Sequence, residues 1–96
     1  MREPLLNPDE RQKLITALPA WSVTDTTLER DVTADTFLAA IDWVVKIANA
    51  AEAADHHPDI DIRWRKLHLV LSTHDSGGLT QRDVDMARQI DLVVAS

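Results

Sequence analysis

The sequence contains no cysteine. That absence removes a disulfide framework, a thiolate metal site and a cysteine nucleophile from consideration, and it fits a reducing compartment. Positive charge is scarce as well: ten Lys and Arg stand against sixteen Asp and Glu, a formal net charge of −6. A surface of that sign repels phosphate backbones, so direct nucleic-acid binding is not expected. Long apolar runs are also missing. No stretch approaches the roughly 20 apolar residues of a membrane span, and the opening MREPLLNPDERQ lacks the apolar centre of a secretory signal. These absences lead to the expectation of a cytoplasmic protein without membrane contact. No internal repeat, low-complexity segment or linker divides the chain, so residues 1–96 are expected to form one domain.

What is present suits a folded globule. Hydrophobic residues make up 45% and charged residues 27% of 96, which is not the composition of a disordered tail. A chain of this size buries somewhat more than about 60% of its unfolded surface, enough for a core without staples.

The stretch NPDE offers a helix start, with Asn7 as cap, Pro8 at the first helical position and Glu10 closing a capping box. Leu14, Ala17 and Leu18 follow as a short apolar stripe that must stop before Pro19. Trp21 and Val23 flank Ser22, and Leu28, Arg30 and Val32 alternate with polar neighbours; the pair reads as a hairpin. The longest helix is predicted from about Ala34 to Ala54, with Phe37, Leu38, Ile41, Val44, Val45 and Ala48 recurring at three- and four-residue steps. Two more strands follow, one carrying Ile60, Ile62 and Trp64 and the next Leu67, Leu69 and Leu71, with a tight connection at Arg65–Lys66. On this alternation Trp64 is read as a core residue. DSGG is a loop, Thr80 and Asp83 form a second cap pattern, and a last helix runs to about Val94. The order α-β-β-α-β-β-α predicts an α+β fold: a four-stranded antiparallel sheet with helices packed on one face. The opposite face or a sheet edge then needs cover, which a homo-oligomer pairing edges would supply.

The chemistry concentrates in DHHPDID, residues 55–61, which holds two of the four histidines. Pro58 biases His57 toward extended backbone, so the helix must end at or before it. Neighbours in extended chain point to opposite sides, which suits gripping something from two directions. Strand parity groups His74 with Ser72, Val70 and His68. If the third and fourth strands form a hairpin, their ends far from the turn meet, and those ends are 57–59 and 73–75. His56, His57 and His74 are thereby brought into one neighbourhood. Three uses are open to them: polar loop ends satisfied by water and carboxylates, a zinc site, or acid–base catalysis by groups that titrate near neutrality. Adjacent histidines that point apart make poor chelators, which speaks against the metal.

EAADHHP at 52–58, Trp64, and LSTHDSGGLTQRD at 71–83 together resemble the pterin-4a-carbinolamine dehydratase family. Glu52, His56, His57, Pro58, Trp64, His74 and Asp83 meet its pattern in order and spacing. The likeness is strong over residues 34–94, while the first thirty match mainly by element order and Trp21. The resemblance implies dimers or tetramers joined through the sheets. It implies loss of water from a 4a-hydroxytetrahydropterin to give the quinonoid dihydropterin, in tetrahydropterin recycling, with no metal or organic cofactor and the pterin itself as substrate. It assigns catalysis to His56, His57 and His74, with His56 and His74 as the proton-transfer pair and His57 as substrate contact. Asp55, Ser72, Thr73 and Asp75 would help hold the pterin, partly through backbone groups. Glu52 would support His56 from four residues upstream, and Asp83 would support the site as a capping carboxylate. His68 matches no proton-transfer position and is read as surface or interface. Other members of the fold are non-catalytic protein-binding partners, as a transcription dimerisation cofactor or an enzyme assembly factor, and a pterin-binding auxiliary protein is a further alternative. Assembly relatives tend to lose the histidine pattern, which is intact here.

Overall fold

The computed structural model describes residues 3–96. Helix α1, Pro8–Ala17, begins as a capping box, with Asn7 Oδ1 accepting from the Glu10 N–H at 2.8 Å and Glu10 Oε1 accepting from the Asn7 N–H at 2.9 Å. It ends at Leu18, one residue before Pro19. Strands β1, Ser22–Val23, and β2, Leu28–Thr33, pair as the expected hairpin. Helix α2, Phe37–Ala54, starts three residues later than the periodicity predicts. Thr36 accepts from the Ala39 N–H at 3.0 Å and closes the first turn, while the Ala34 N–H is spent on the Arg65 carbonyl at 2.9 Å. Strands β3, Asp59–Arg63, and β4, Lys66–Leu71, form the second hairpin, and α3, Gln81–Ala95, follows the Thr80–Asp83 capping box.

The sheet is antiparallel in the order β1-β2-β4-β3, which places β4 inside and β3 at an edge. Register puts Leu28 opposite Leu71, Arg30 opposite Leu69 and Val32 opposite Leu67. Because side chains alternate across a strand, one face gathers Leu67, Leu69 and Leu71, each without solvent exposure. Helix α3 packs on β2 and β4 and α2 packs on α3, so Ile47, Ala51, Met86, Ala87 and Ile90 complete the core. Truncating one of these leucines to alanine costs about 2–5 kcal/mol. Trp21 is buried against the same cluster and satisfies its indole by donating to Asp91 Oδ1 at 2.8 Å. No helix among the described residues is long and apolar enough to cross a membrane.

Three details depart from the sequence reading. The second hairpin turns at Trp64–Arg65, one residue early, with Trp64 in left-handed backbone at φ 55. Trp64 is therefore not in the core: it is 71% exposed, with the Arg65 guanidinium 5.0 Å above its ring. The apolar stripe expected on α2 is not its core face: Ala40, Ile47 and Ala51, none of them in that stripe, are buried, whereas Phe37, Leu38, Val45 and Ala48 are exposed and Ile41 and Val44 are half-buried. The face of the sheet away from the helices is charged: Asp31 and Asp61 lie opposite His68, with Glu29, Lys66 and Arg63 in the same alternating rows. Such a face needs no apolar cover, which leaves the β3 edge as the place where cover would act.

Candidate active site

Helix α2 ends because Asp55 adopts left-handed backbone, φ 50 and ψ 44, a conformation that Asp tolerates better than most residues. The Asp55 and His56 N–H groups then bond back to Glu52 and Ala51 carbonyls, and the His56 N–H to Ala51 bond is 3.1 Å, the return pattern of a helix C-terminus. This reversal swings His56 away from its own helix and toward α3. His56 is 8% exposed, and its Nε2 meets Asp83 Oδ1 at 2.6 Å.

Asp83 is fully buried. Its other oxygen, Oδ2, accepts from the Thr80 N–H at 2.9 Å and from the Thr73 hydroxyl at 2.7 Å. One carboxylate thus closes the cap of α3, ties the end of β4 to that helix and holds an imidazole. A charge removed from water needs such partners. When Nε2–H donates to the Asp83 carboxylate, Nδ1 is the ring nitrogen left to meet a ligand.

His57 points the other way, as adjacency predicts. It is exposed, and its Nε2 lies 2.5 Å from Glu52 Oε2. Glu52 therefore supports His57 and not His56. The four-residue helical spacing that suggested His56 fails because Asp55 breaks the helix before His56 and returns His57 over the last turn.

Strand β4 ends at Leu71, and Thr73 makes an antiparallel bridge with Gly78. Between them His74–Ser76 forms a 3₁₀ turn closed by Gly77 at φ 80, whose N–H donates to the His74 carbonyl at 3.1 Å. Strand parity no longer governs His74, which stands exposed on this turn, away from the row of His68 and Val70.

A hollow of about 210 Å³ is lined by Asp55, His56, His57, Ser72, Thr73, His74, Asp75 and Arg82. The three histidines named from the sequence, and the four residues named for holding a ligand, share this one concavity. The hydroxyls of Ser72 and Thr73 are already engaged, Ser72 donating to the Thr26 carbonyl at 2.8 Å and Thr73 to Asp83. The Thr73 main chain is engaged too, its N–H donating to the Gly78 carbonyl at 2.9 Å and its carbonyl accepting from the Ser76 and Gly77 N–H groups at 3.0 Å, so the main-chain contribution to a ligand falls to Ser72, whereas Asp55 and Asp75 present exposed carboxylates at the rim.

Arg82 was not anticipated. Its Nη2 donates to the carbonyls of Ala54 and Asp55, the last of α2, where a cation is favoured by the helix dipole. Its only sequence signal is its place beside Asp83 in the cap of α3. His68 lies outside the hollow, on the charged sheet face, with Nδ1 2.5 Å from Asp31 and Nε2 3.2 Å from Glu29. The Asp31 hydrogen bond, aided by both carboxylate charges and only partly offset by desolvation, holds His68 above the ordinary histidine pKa. Asp31 is held below its own ordinary value, chiefly by the same bond.

The family model described as "Pterin 4 alpha carbinolamine dehydratase" matches residues 4–93. A relative from Nocardia farcinica is 50% identical over 95% of this chain and 96% of its own length. Another, from Mycobacteroides abscessus, is 49% identical over 91% of this chain and 93% of its own. Both bear the name "Putative pterin-4-alpha-carbinolamine dehydratase". Among solved structures, a "transcriptional coactivator/pterin dehydratase" from Brucella melitensis superposes with TM-score 0.89 at 27% identity, covering 94% of this chain and 98% of that one. A pterin dehydratase-like protein described as a RuBisCO assembly factor in the alpha-carboxysome superposes at 0.65 with 14% identity, over 79% and 88%, a likeness of fold alone.

Proposed function

We propose a catalytic role on the footing that the chain belongs to the pterin 4 alpha carbinolamine dehydratase family: this protein removes water from a 4a-hydroxytetrahydropterin. The reaction needs a proton delivered to the departing 4a-hydroxyl and one taken from the adjacent ring nitrogen, leaving a carbon–nitrogen double bond and the quinonoid dihydropterin. Two protons move and no electrons are exchanged with the protein, so the step asks for no metal or organic cofactor beyond the pterin. A positioned acid or base contributes about 10²–10⁴-fold. His56, oriented by Asp83, and His74, exposed on its turn across the hollow, are the proton-transfer pair in this reading. His57, steadied by Glu52, is a contact to the pterin, and Asp55, Asp75 and the main chain at Ser72 meet its donor-rich edge, with Thr73 lining the wall.

The observation that carries the reading is the hollow itself, which collects three of the chain's four histidines around one concavity. Stopped-flow absorbance with freshly generated carbinolamine tests it. Dehydration well above the buffer rate is expected, and a rate equal to buffer removes the enzymatic role.

One observation favours an added protein-binding role: Phe37, Leu38 and Val45 stand exposed on α2, 47%, 79% and 53% respectively, a patch of the kind that marks interaction sites. Self-association through β3 belongs to the same reading. It is an open edge, with Ile62 41% exposed beside Trp64, and edge strands invite pairing. We place a homodimer or homotetramer here; a monomeric mass by light scattering at micromolar concentration would remove it.

A further inference from the structure

We infer that Ser76 and the segment 3–6 position His74 for proton transfer. This rests on the pterin-site reading above and adds to it what holds the third histidine. Among the described residues, carboxylates hold the rings of His56, His57 and His68, and none holds that of His74. His74 is exposed, so its place in the hollow is set by the backbone that carries it. An acid or base acts only within hydrogen-bond reach of its proton, and a misplacement of about 1 Å can cost about 10²-fold in rate. Whatever fixes the turn His74–Ser76 therefore fixes part of the rate.

The turn is tied on both sides. Before it, Ser72 Oγ donates to the Thr26 carbonyl at 2.8 Å and Thr73 bridges to Gly78. At its end, Ser76 Oγ donates to the Glu3 carbonyl at 2.7 Å. Beyond it, the Leu79 carbonyl accepts from the Leu6 N–H at 2.9 Å. Residues 3–6 thus lie along the loop as a strap, and the strap has its own anchor. Leu6 is buried in the core, its carbonyl accepts from Arg11 Nη1 at 3.0 Å, and the next residue, Asn7, caps α1. Gly78 permits the close approach. A Cβ there would come within 3.3 Å of Leu5 Cδ2 and 3.8 Å of both the Asp25 carbonyl oxygen and Thr26 Cα. The 3₁₀ turn spans three residues, and its closing N–H, from Gly77, donates to the His74 carbonyl. A tie at Ser76 is therefore felt at His74 through a single turn of backbone. Neither Ser76 nor Leu5 lines the hollow, so each acts on the reaction through His74.

Three variants test this: Ser76→Ala removes the tie, Leu5→Ala loosens the strap from outside the turn, and Ser76→Thr keeps the hydroxyl. Circular dichroism confirms the fold of each. In stopped-flow and steady-state assays Ser76→Ala should lower kcat about three- to tenfold, the equivalent of one net hydrogen bond. KM should stay within about twofold, because the loss falls on the transition state. Leu5→Ala should lower kcat about twofold, as a half-exposed side chain does, and Ser76→Thr should match wild type. In ligand-free protein, backbone ¹⁵N order parameters at 74–76 should fall in Ser76→Ala from about 0.85 toward 0.6, while those at 55–57 stay fixed. Equal loss in Ser76→Thr, a loss confined to KM, or order parameters that do not change overturns the positioning role and leaves the hollow intact. Wild-type protein that fails to dehydrate the carbinolamine removes the pterin reading and the catalytic consequence with it, and the order parameters then decide separately whether the strap fixes the turn.

Discussion

The corner at His56 and the open sheet face at His68 use the same two groups, imidazole and carboxylate, to different ends. His56 and Asp83 are both buried, and the other oxygen of Asp83 is committed to a backbone N–H and a hydroxyl. One ring nitrogen is tied and the other is left to meet a ligand at the lip of a hollow. His68 stands partly exposed with a carboxylate at each nitrogen, an arrangement that satisfies an imidazolium completely and leaves nothing for a ligand. The two carboxylates hold His68 above its ordinary pKa although it lies outside the histidine hollow. Asymmetry of partners and access to a concavity separate the two regions.

Substitution breaks the comparison most sharply. His56→Ala should lower the dehydration rate by about 10²–10⁴-fold, while His68→Ala stays within about twofold, both read by stopped-flow absorbance. Equal losses would merge the two regions. Asp83 comes next. Asp83→Asn, which keeps the shape but weakens orientation of His56, should cost up to about 10²-fold in rate. Asp83→Ala removes one partner of a buried pair and the cap of α3, and urea unfolding should show a loss of about 3–5 kcal/mol; a loss under about 1 kcal/mol would mean that the pair carries little of the fold. Glu52→Gln leaves His57 exposed without its carboxylate and should change activity by less than about tenfold, since an exposed pair contributes little.

The smallest effect lies on the open face. His68 has its folded pKa raised, so its contribution to stability is full below the usual histidine value of 6.5 and fades as pH rises through the raised value. Asp31 has its folded pKa lowered, so its contribution is full above its usual 3.8 and fades as pH falls through the lowered value. Between those limits the pair should stabilise the sheet slightly. The difference in melting temperature between wild type and His68→Gln should shrink as pH rises past neutrality and should diminish in high salt. A difference that grows with pH would reverse the sign.

Local signals were legible in the sequence. The Asn7–Glu10 and Thr80–Asp83 caps, the halt before Pro19 and the two hairpins each depend on residues a few positions apart, and each is found. The meeting of 56–57 with 74 was also legible, because a hairpin fixes which strand ends adjoin. What depends on one backbone angle or on contact through space was not. A single left-handed residue, Asp55, redirects Glu52 from His56 to His57. An early turn at Trp64 ejects that ring from the core. Arg82 gains its place only when α3 packs against the end of α2, and the outward face of α2 has the same periodicity as the buried one.

With only four histidines in the chain, one spectrum can test whether three imidazoles serve one ligand. Protein labelled with ¹⁵N in its histidine rings, titrated with a stable 7,8-dihydropterin, should show ring signals of His56, His57 and His74 moving together with a single binding constant while those of His68 stay fixed. Movement of His68 alone, or of none of the first three, would contradict the account.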